Sequence, residues 1–364
     1  MNPLIVLWQE HRQAVWLDFI QRSLVEEGGL ARLVEEDGVR GVTSNPSIFK
    51  QAIADTEEYT AQVAEILAAT PTASTTDVYE ALAIRDIRTA ADVMRSVYDA
   101  SSGEDGYVSL EVSPELARDT AGTVADARRL WAAVDRPNLM IKVPATDEGI
   151  PAIEQLIADG INVNATLMFS MADYEAVAQA YLRGLARCAE PQRVASVASF
   201  FVSRLDTKVD AVLEADGSEA ARALLGRAAI ANACLAYRRF RQIFHGDAFA
   251  DLAAKGARVQ RPLWASTSTK NPAYRDVLYV EELVGPETVN TIPSKTLDAF
   301  RDHGVPRNAL DESMDRADAV MNGLADLGVD LDDITSQLQV DGVASFADAF
   351  RALLASLEQK MATV

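Results

Sequence analysis

Short apolar runs alternate along the chain with stretches in which apolar residues recur every three to four positions, a succession of buried strands and amphipathic helices. Ala14-Val-Trp-Leu-Asp-Phe-Ile20 reads as a first strand, carrying Asp18 among large apolar neighbours. A helical stretch, Leu30 to Glu36, leads to Gly41-Val-Thr-Ser-Asn-Pro-Ser-Ile-Phe49. Pro46 cannot continue a central strand and Ser47 can cap a helix after it, so the strand should stop near Asn45 and a helix begin. Helices are predicted over Glu57 to Ala69 and Asp77 to Ala100, where Ile84, Ile87, Ala91, Met94 and Tyr98 form one apolar face. Tyr107 to Ser113 is a third strand with Ser109 and Glu111 on one face, and a helix spans Leu116 to Val134. Leu139-Met-Ile-Lys-Val-Pro-Ala145 is the fourth strand, a doubly buried run with Lys142 at its centre.

Beyond it, a helix opens at Thr146 and runs through Ala158, and Asp159 to Phe169 is a fifth strand. Period two puts Asn162, Asn164 and Thr166 on one face of that strand, a polar stripe in otherwise apolar surroundings. A helix over Met171 to Cys188 precedes a sixth strand, Val194 to Val202, which pairs Ser199 with Phe201 on one face. Two helices occupy Thr207 to Phe244 with a break near Gly217. Pro262 to Ser268 and Thr288 to Pro293 are the seventh and eighth strands. The tail from Ala309 to Val364 reads as helical, interrupted near Gly328 and again near Gly342. Eight strands separated by helices give the order of a (β/α)8 TIM barrel over residues 1–364, with 309–364 a helical extension packed on it. An open doubly wound sheet is the alternative.

Composition narrows the function classes. Hydrophobic residues make up 49% of 364, enough for a large core. Lysine and arginine number 34 against 54 acidic residues, a net charge of −20, which argues against nucleic-acid binding or an anionic membrane surface. Any phosphate must therefore be held by a local cluster of cations. Two cysteines, Cys188 and Cys234, in so long a chain suggest a reducing compartment, and no apolar run approaches the length of a membrane span. A cytoplasmic protein is expected, with the oligomeric state, monomer or homodimer, left open. Three scattered histidines thin the case for zinc or a serine-hydrolase triad, and phosphate-cradling glycine motifs are missing, so neither metal nor nucleotide cofactor is expected.

The chemistry centres on Lys142. An ammonium buried in a strand is costly unless it is paired or becomes a neutral amine. A neutral, desolvated lysine attacks carbonyl carbon, so Schiff-base catalysis is one reading; a lysine that snorkels outward or closes a structural ion pair is the other. If the fold is a barrel, Asp18, Asn45, Glu111, Lys142, Asn164, Thr166 and Ser199 come from six successive strands and can share one mouth. Imine formation needs a proton for the departing hydroxyl, and cleavage of the adjacent carbon–carbon bond needs a base for a substrate hydroxyl, so two carboxylates in different surroundings suit the two tasks. Glu111, beside Lys142, fits the first, working through a water that Thr166 holds; Asp18, farther round, fits the second. Asn45, Asn164 and Ser199 offer neutral groups for polyol hydroxyls, and Arg204, Lys270 and Ser266 lie where a phosphate would need them.

Gly41 to Phe49 closely resembles the Asn-Pro-Ser signature of transaldolases, and Ile141-Lys-Val-Pro144 is similar to that family's Schiff-base lysine strand. The resemblance continues through Leu17-Asp18, Leu110-Glu111, Asn162-Val-Asn-Ala-Thr166 and Ser199-Phe-Phe-Val-Ser-Arg204, in order, over about Trp16 to Thr269. It implies a cofactor-independent barrel enzyme of the pentose phosphate pathway, of the longer bacterial type. Such an enzyme moves a dihydroxyacetone unit from sedoheptulose 7-phosphate to glyceraldehyde 3-phosphate. Carried over by position, Lys142 matches the Schiff-base lysine, Asp18 the acid/base for bond cleavage, and Glu111 with Thr166 the holders of the catalytic water. Asn45, Asn164 and Ser199 match contacts to the dihydroxyacetone moiety and Arg204 a phosphate ligand. The chain departs from the family after strand seven, where Ala265-Ser-Thr-Ser-Thr-Lys270 stands in place of Ser-x-Arg, which makes Lys270 the expected second phosphate cation.

Three rival functions make different demands. A simple aldolase of the same superfamily would release dihydroxyacetone to water; relatives of that kind tend to carry tyrosine where Phe201 stands, and phenylalanine favours transfer. A retaining glycosidase would use Asp18 and Glu111 but leave Lys142 without a task. A silent sugar-phosphate-binding barrel would need no nucleophile.

Overall fold

The computed structural model describes residues 2–54 and 56–364. Eight parallel strands close into a barrel in sequence order: β1 (Gln13–Leu17), β2 (Gly41–Val42), β3 (Tyr107–Glu111), β4 (Leu139–Pro144), β5 (Val163–Met168), β6 (Ser196–Phe201), β7 (Arg261–Ala265) and β8 (Thr288–Ile292). Closure pairs β1 with β8 from Gln13 opposite Thr288 to Leu17 opposite Ile292, so the (β/α)8 expectation holds and the open sheet does not. Every strand residue is buried, because helices cover the barrel outside and large side chains such as Trp16, Tyr107 and Trp264 fill it and its flanks. Gly41 is required where β1 and β2 meet: a Cβ there would lie 2.5 Å from the Trp16 ring.

Local signals start the helices. Ser74 and Asp77 form a capping box ahead of Thr75–Ala100, and Ser170 with Asp173 does the same for Met171–Arg187. After β2 the cap is Asn45, whose Oδ1 accepts from the Ile48 amide at 3.0 Å, and not Ser47, which lies exposed inside the helical turn. Pro46 sits at the first helical position, where its missing amide hydrogen costs nothing.

Other boundaries move for physical reasons. The helix expected from Leu116 begins at Thr120, with the Asp119 side chain capping the Gly122 amide, after a 3-10 turn at Pro114–Leu116. The fifth strand starts at Val163, since Gly160, at φ 84°, turns the chain out of the preceding helix. The helix after β6 begins at Ser203, sooner than Thr207. Helices at Pro3–Gln9, Asp247–Ala254, Leu278–Glu282 and Ser294–His303 were not expected.

The largest difference lies in the tail. After Ala309–Asp326, one unbroken helix runs Leu331–Thr363, straight through Gly342. Glycine costs a helix interior only about 1 kcal/mol, and here it admits a close approach: a Cβ on Gly342 would stand 3.1 Å from Leu167 Cδ2. This C-terminal helix crosses the carboxyl-end mouth of the barrel. Its Gln339 donates to the carbonyls of Ala145 (2.9 Å) and Leu167 (3.4 Å), just beyond β4 and within β5. Arg351 pairs with Glu115 (2.8 Å), Asp341 with Lys208 (3.2 Å), and Lys360 donates to the carbonyls of Ile53 and Thr56.

The opposite end is closed by charge. Asp105, fully buried, accepts from Arg40 Nε and Arg261 Nη2 at 2.7 Å each. The two guanidiniums hold its carboxyl below the usual range against the upward push of burial. Among the described residues no helix is long and apolar enough to cross a membrane.

Candidate active site

Lys142 stands in register with Glu111 on β3 and with Asn164 on β5, and Thr166 lies opposite Pro144. Its ammonium is buried, 3.6 Å from Glu111 Oε2, and donates to the Ser44 carbonyl at 3.2 Å. At 3.6 Å the contact with Glu111 is an ion pair longer than a hydrogen bond. Among the described residues neither Glu111 oxygen has a hydrogen-bond partner, nor does the buried Thr166 hydroxyl. Burial pushes the Glu111 carboxyl up to about 7, although Lys142 draws it down. A cavity of about 50 Å³ adjoins Glu111, lined also by Asn45, Tyr79 and Phe350 and large enough for a water.

Asp18 sits one residue past the end of β1, half-buried. Burial raises its carboxyl above the ordinary range, opposed by Lys142, by the Thr43 hydroxyl donating at 2.7 Å, and by Lys270 and Arg204. The two carboxyls therefore occupy unlike settings. Glu111 faces apolar groups and one ammonium, whereas Asp18 has a hydrogen bond and three nearby cations.

A polar chain crosses the floor of the mouth. Ser199 Oγ donates to Asn164 Oδ1 (2.6 Å), and Asn164 Nδ2 donates to Ser109 Oγ (3.1 Å), joining β6, β5 and β3. Asn45 spends its oxygen on the helix cap and keeps its amide hydrogens available. Asn162, expected on the same stripe, points elsewhere: it precedes β5 and ties Pro137, Leu139 and Ala195 together.

The cations gather on the other side. Arg204 lies at the start of Ser203–Asp216 with its guanidinium 5.4 Å from the Phe201 ring centre. Burial lowers the Arg204 and Lys270 pKa values, and Arg204 lowers that of Lys270 further, as two neighbouring positive charges do. Neither forms a salt bridge with a carboxylate among the described residues. Ser266, in the left-handed region at φ 57°, shares a 2.9 Å hydrogen bond with Ser203, and Lys270 reaches Ser268 at 2.7 Å.

The site is lopsided. Glu111, Lys142, Asn164, Thr166, Ser199 and Phe201 are buried, while Asp18, Asn45, Arg204 and Ser266 are half-buried and Lys270 is exposed. The cation side is the more exposed, and the C-terminal helix packs over the other. Its Phe346 ring centre lies 5.7 Å from Lys142 Nζ. Sequence reasoning missed Thr43, Ser44, Gln339 and Phe346. The first two lie within the 41–49 signature and were legible by position; the last two carry no local mark of a site.

The arrangement provides an amine, two unlike carboxyls, neutral hydrogen-bonding side chains and a pair of cations without carboxylate partners among the described residues. The remaining candidates are placed as ordinary structure: His245 pairs with Glu287, His303 with Asp276 and Asp302, and Cys188 and Cys234 are unpaired thiols.

Comparison with known proteins gives the same direction. The family model described as transaldolase/fructose-6-phosphate aldolase matches residues 15–357. The transaldolase of Thiobacillus denitrificans is 51% identical over 349 residues, covering 95% of this chain and 97% of its own. Transaldolase 1 of Streptomyces coelicolor is 49% identical over 353 residues, covering 96% and 92%, and the transaldolase of Mycolicibacterium smegmatis 46% over 364, covering 97% and 96%. The chain belongs to the transaldolase/fructose-6-phosphate aldolase family and is an enzyme of its transaldolase, transferase type.

Proposed function

We propose that the chain transfers dihydroxyacetone from sedoheptulose 7-phosphate to glyceraldehyde 3-phosphate through an imine on Lys142, giving erythrose 4-phosphate and fructose 6-phosphate in the pentose phosphate pathway. The observation that carries this reading is the buried Lys142 ammonium 3.6 Å from a Glu111 carboxyl whose oxygens have no hydrogen-bond partner. A carboxyl that titrates near 7 can both give and take a proton at neutral pH.

In this mechanism Glu111 takes a proton from the Lys142 ammonium, and the nitrogen so freed adds to the ketone carbon C2 of the donor. Glu111, through a water beside Thr166, delivers the proton with which the hydroxyl of the carbinolamine leaves as water. Asp18 takes the proton from the C4 hydroxyl, the C3–C4 bond breaks, and erythrose 4-phosphate departs. The bonding electrons pass into the iminium, leaving a three-carbon enamine on Lys142. That enamine attacks the aldehyde carbon of glyceraldehyde 3-phosphate, Asp18 returns its proton to the new alkoxide, and water releases fructose 6-phosphate. Asn45, Asn164 and Ser199 orient the hydroxyls of the transferred unit, and Phe201 walls it. Arg204 and Lys270, with Ser266, hold the phosphate; lysine acts there as a point charge without arginine's bidentate fork. Two free thiols support a reducing, cytoplasmic setting.

The test is intact-mass analysis after adding fructose 6-phosphate and sodium borohydride, then peptide mapping. A dihydroxyacetone-sized adduct on Lys142, absent from a folded Lys142→Ala variant that has lost transfer, is the expected outcome. No adduct on the folded wild-type protein, or near-normal turnover by the variant, would overturn the imine.

A further inference from the structure

Gln339, Gly342, Phe346, Phe350, Leu353 and Leu357 recur at three- and four-residue spacing, so the C-terminal helix turns one continuous face toward the barrel. Gly342 rests against Leu167 and Phe169, and Phe350 packs edge-on against Tyr79 with ring centres 5.3 Å apart, beside the Glu111 cavity. Between these contacts Phe346, 4% exposed, presents its ring to Lys142 Nζ. The ring therefore covers one side of the Lys142 nitrogen.

We infer that Phe346 is a specificity-determining residue: its ring keeps loose water off the three-carbon enamine on Lys142, so that the unit is passed to an aldehyde instead of being released. The inference rests on the imine reading above. Release requires the enamine carbon to take a proton, with water as its source, which restores the iminium. A second water then adds to C2, the C2–N bond breaks, and free dihydroxyacetone and the Lys142 amine result. Transfer needs no proton on that carbon, because the aldehyde carbon takes its electron pair. In this reading the water that serves C2 works from the Glu111 side, so dryness around the enamine carbon decides between the two fates. An apolar ring is suited to this: it excludes water without offering a donor, and its π face tolerates the neighbouring positive nitrogen.

The experiment compares wild-type protein with Phe346→Ala and Phe346→Val, using fructose 6-phosphate as donor and erythrose 4-phosphate as acceptor. Dihydroxyacetone and sedoheptulose 7-phosphate are quantified together, and borohydride trapping is run on each protein. The expected result is a release-to-transfer ratio at least fivefold higher in F346A, intermediate in F346V, with the Lys142 adduct still formed. If F346A does not fold, F346V alone carries the expectation of a raised ratio. A ratio within twofold of wild type in the folded variants, or release and transfer falling by the same factor, would overturn the inference while leaving the imine intact. Failure of wild-type protein to trap at Lys142 would instead remove the proposed function itself.

Discussion

Glu111 joins stability to chemistry within one side chain. Its oxygens lack hydrogen-bond partners and burial raises its carboxyl from an ordinary 4.5 to about 7. A carboxyl that binds its proton more tightly when folded makes the native state bind more protons than the unfolded chain between those two values. Stability from this group is therefore fully present below about 4.5 and is lost as pH rises to about 7. Glu111→Gln keeps the shape and removes the titration. We expect thermal melts to show the variant gaining on wild type by on the order of 3 kcal/mol between about pH 4.5 and 7.5, while transfer falls by roughly 10²–10⁴-fold if Glu111 is the proton carrier. A difference independent of pH would contradict the assigned titration, and unchanged transfer would remove Glu111 from catalysis. Glu111 and Lys142 were both legible by type and period; that both oxygens of the acid stand without hydrogen bonds was not, because it depends on what surrounds them.

At the scale of elements, β5 shows how a strand aims a side chain. The pairing of β5 with β6 shifts between Ala165 and Met168, and Leu167 is held at φ 59°, a region that a branched apolar residue seldom occupies. Period two is broken at that point, just after Thr166. The strained turn keeps its geometry because Gln339 binds the Leu167 and Ala145 carbonyls, 172 and 194 positions away in sequence. Gln339→Ala removes both hydrogen bonds without altering the mouth's charges. Its expected cost is about 1 kcal/mol in stability, with kcat reduced several-fold and KM little changed, since Thr166 and Lys142 lose alignment while Arg204 and Lys270 stay put. Equilibrium denaturation and steady-state kinetics check both parts; an altered KM with normal kcat would contradict the positioning role. The neighbouring Asn45 turn was easier to read, because Pro46 marks the stop; only the choice of cap between Asn45 and Ser47 needed the structure.

For the molecule as a whole, the two ends of the barrel divide the work. The carboxyl end gathers the groups proposed to react, and the amino end is closed by Asp105 between Arg40 and Arg261. Breaking a buried ion cluster leaves a charge without compensation, so Asp105→Asn is expected to cost about 3–5 kcal/mol through the buried Arg261, with kcat/KM of the folded variant unchanged within twofold. Chemical denaturation and kinetics at a temperature where the variant is folded separate the two effects. A large loss of turnover would mean that the ends are coupled.

The order of strands and helices, the barrel class and a set of candidate side chains for chemistry were present in the sequence, because they rest on local periodicity and on chemistry that each residue carries with it. Period two along each strand was enough to group Asp18, Asn45, Glu111, Lys142, Asn164 and Ser199 toward one mouth once a closed sheet was assumed. The roof over that mouth, the bend after Thr166, the charge cluster at Asp105 and the meeting of Phe346 with Lys142 were decided by the tertiary structure. A helix face shows which residues are buried, but its partner is chosen by packing between segments far apart in the chain. Local patterning at Gly342 even suggested a break, where close packing against β5 instead carries one continuous helix over Lys142.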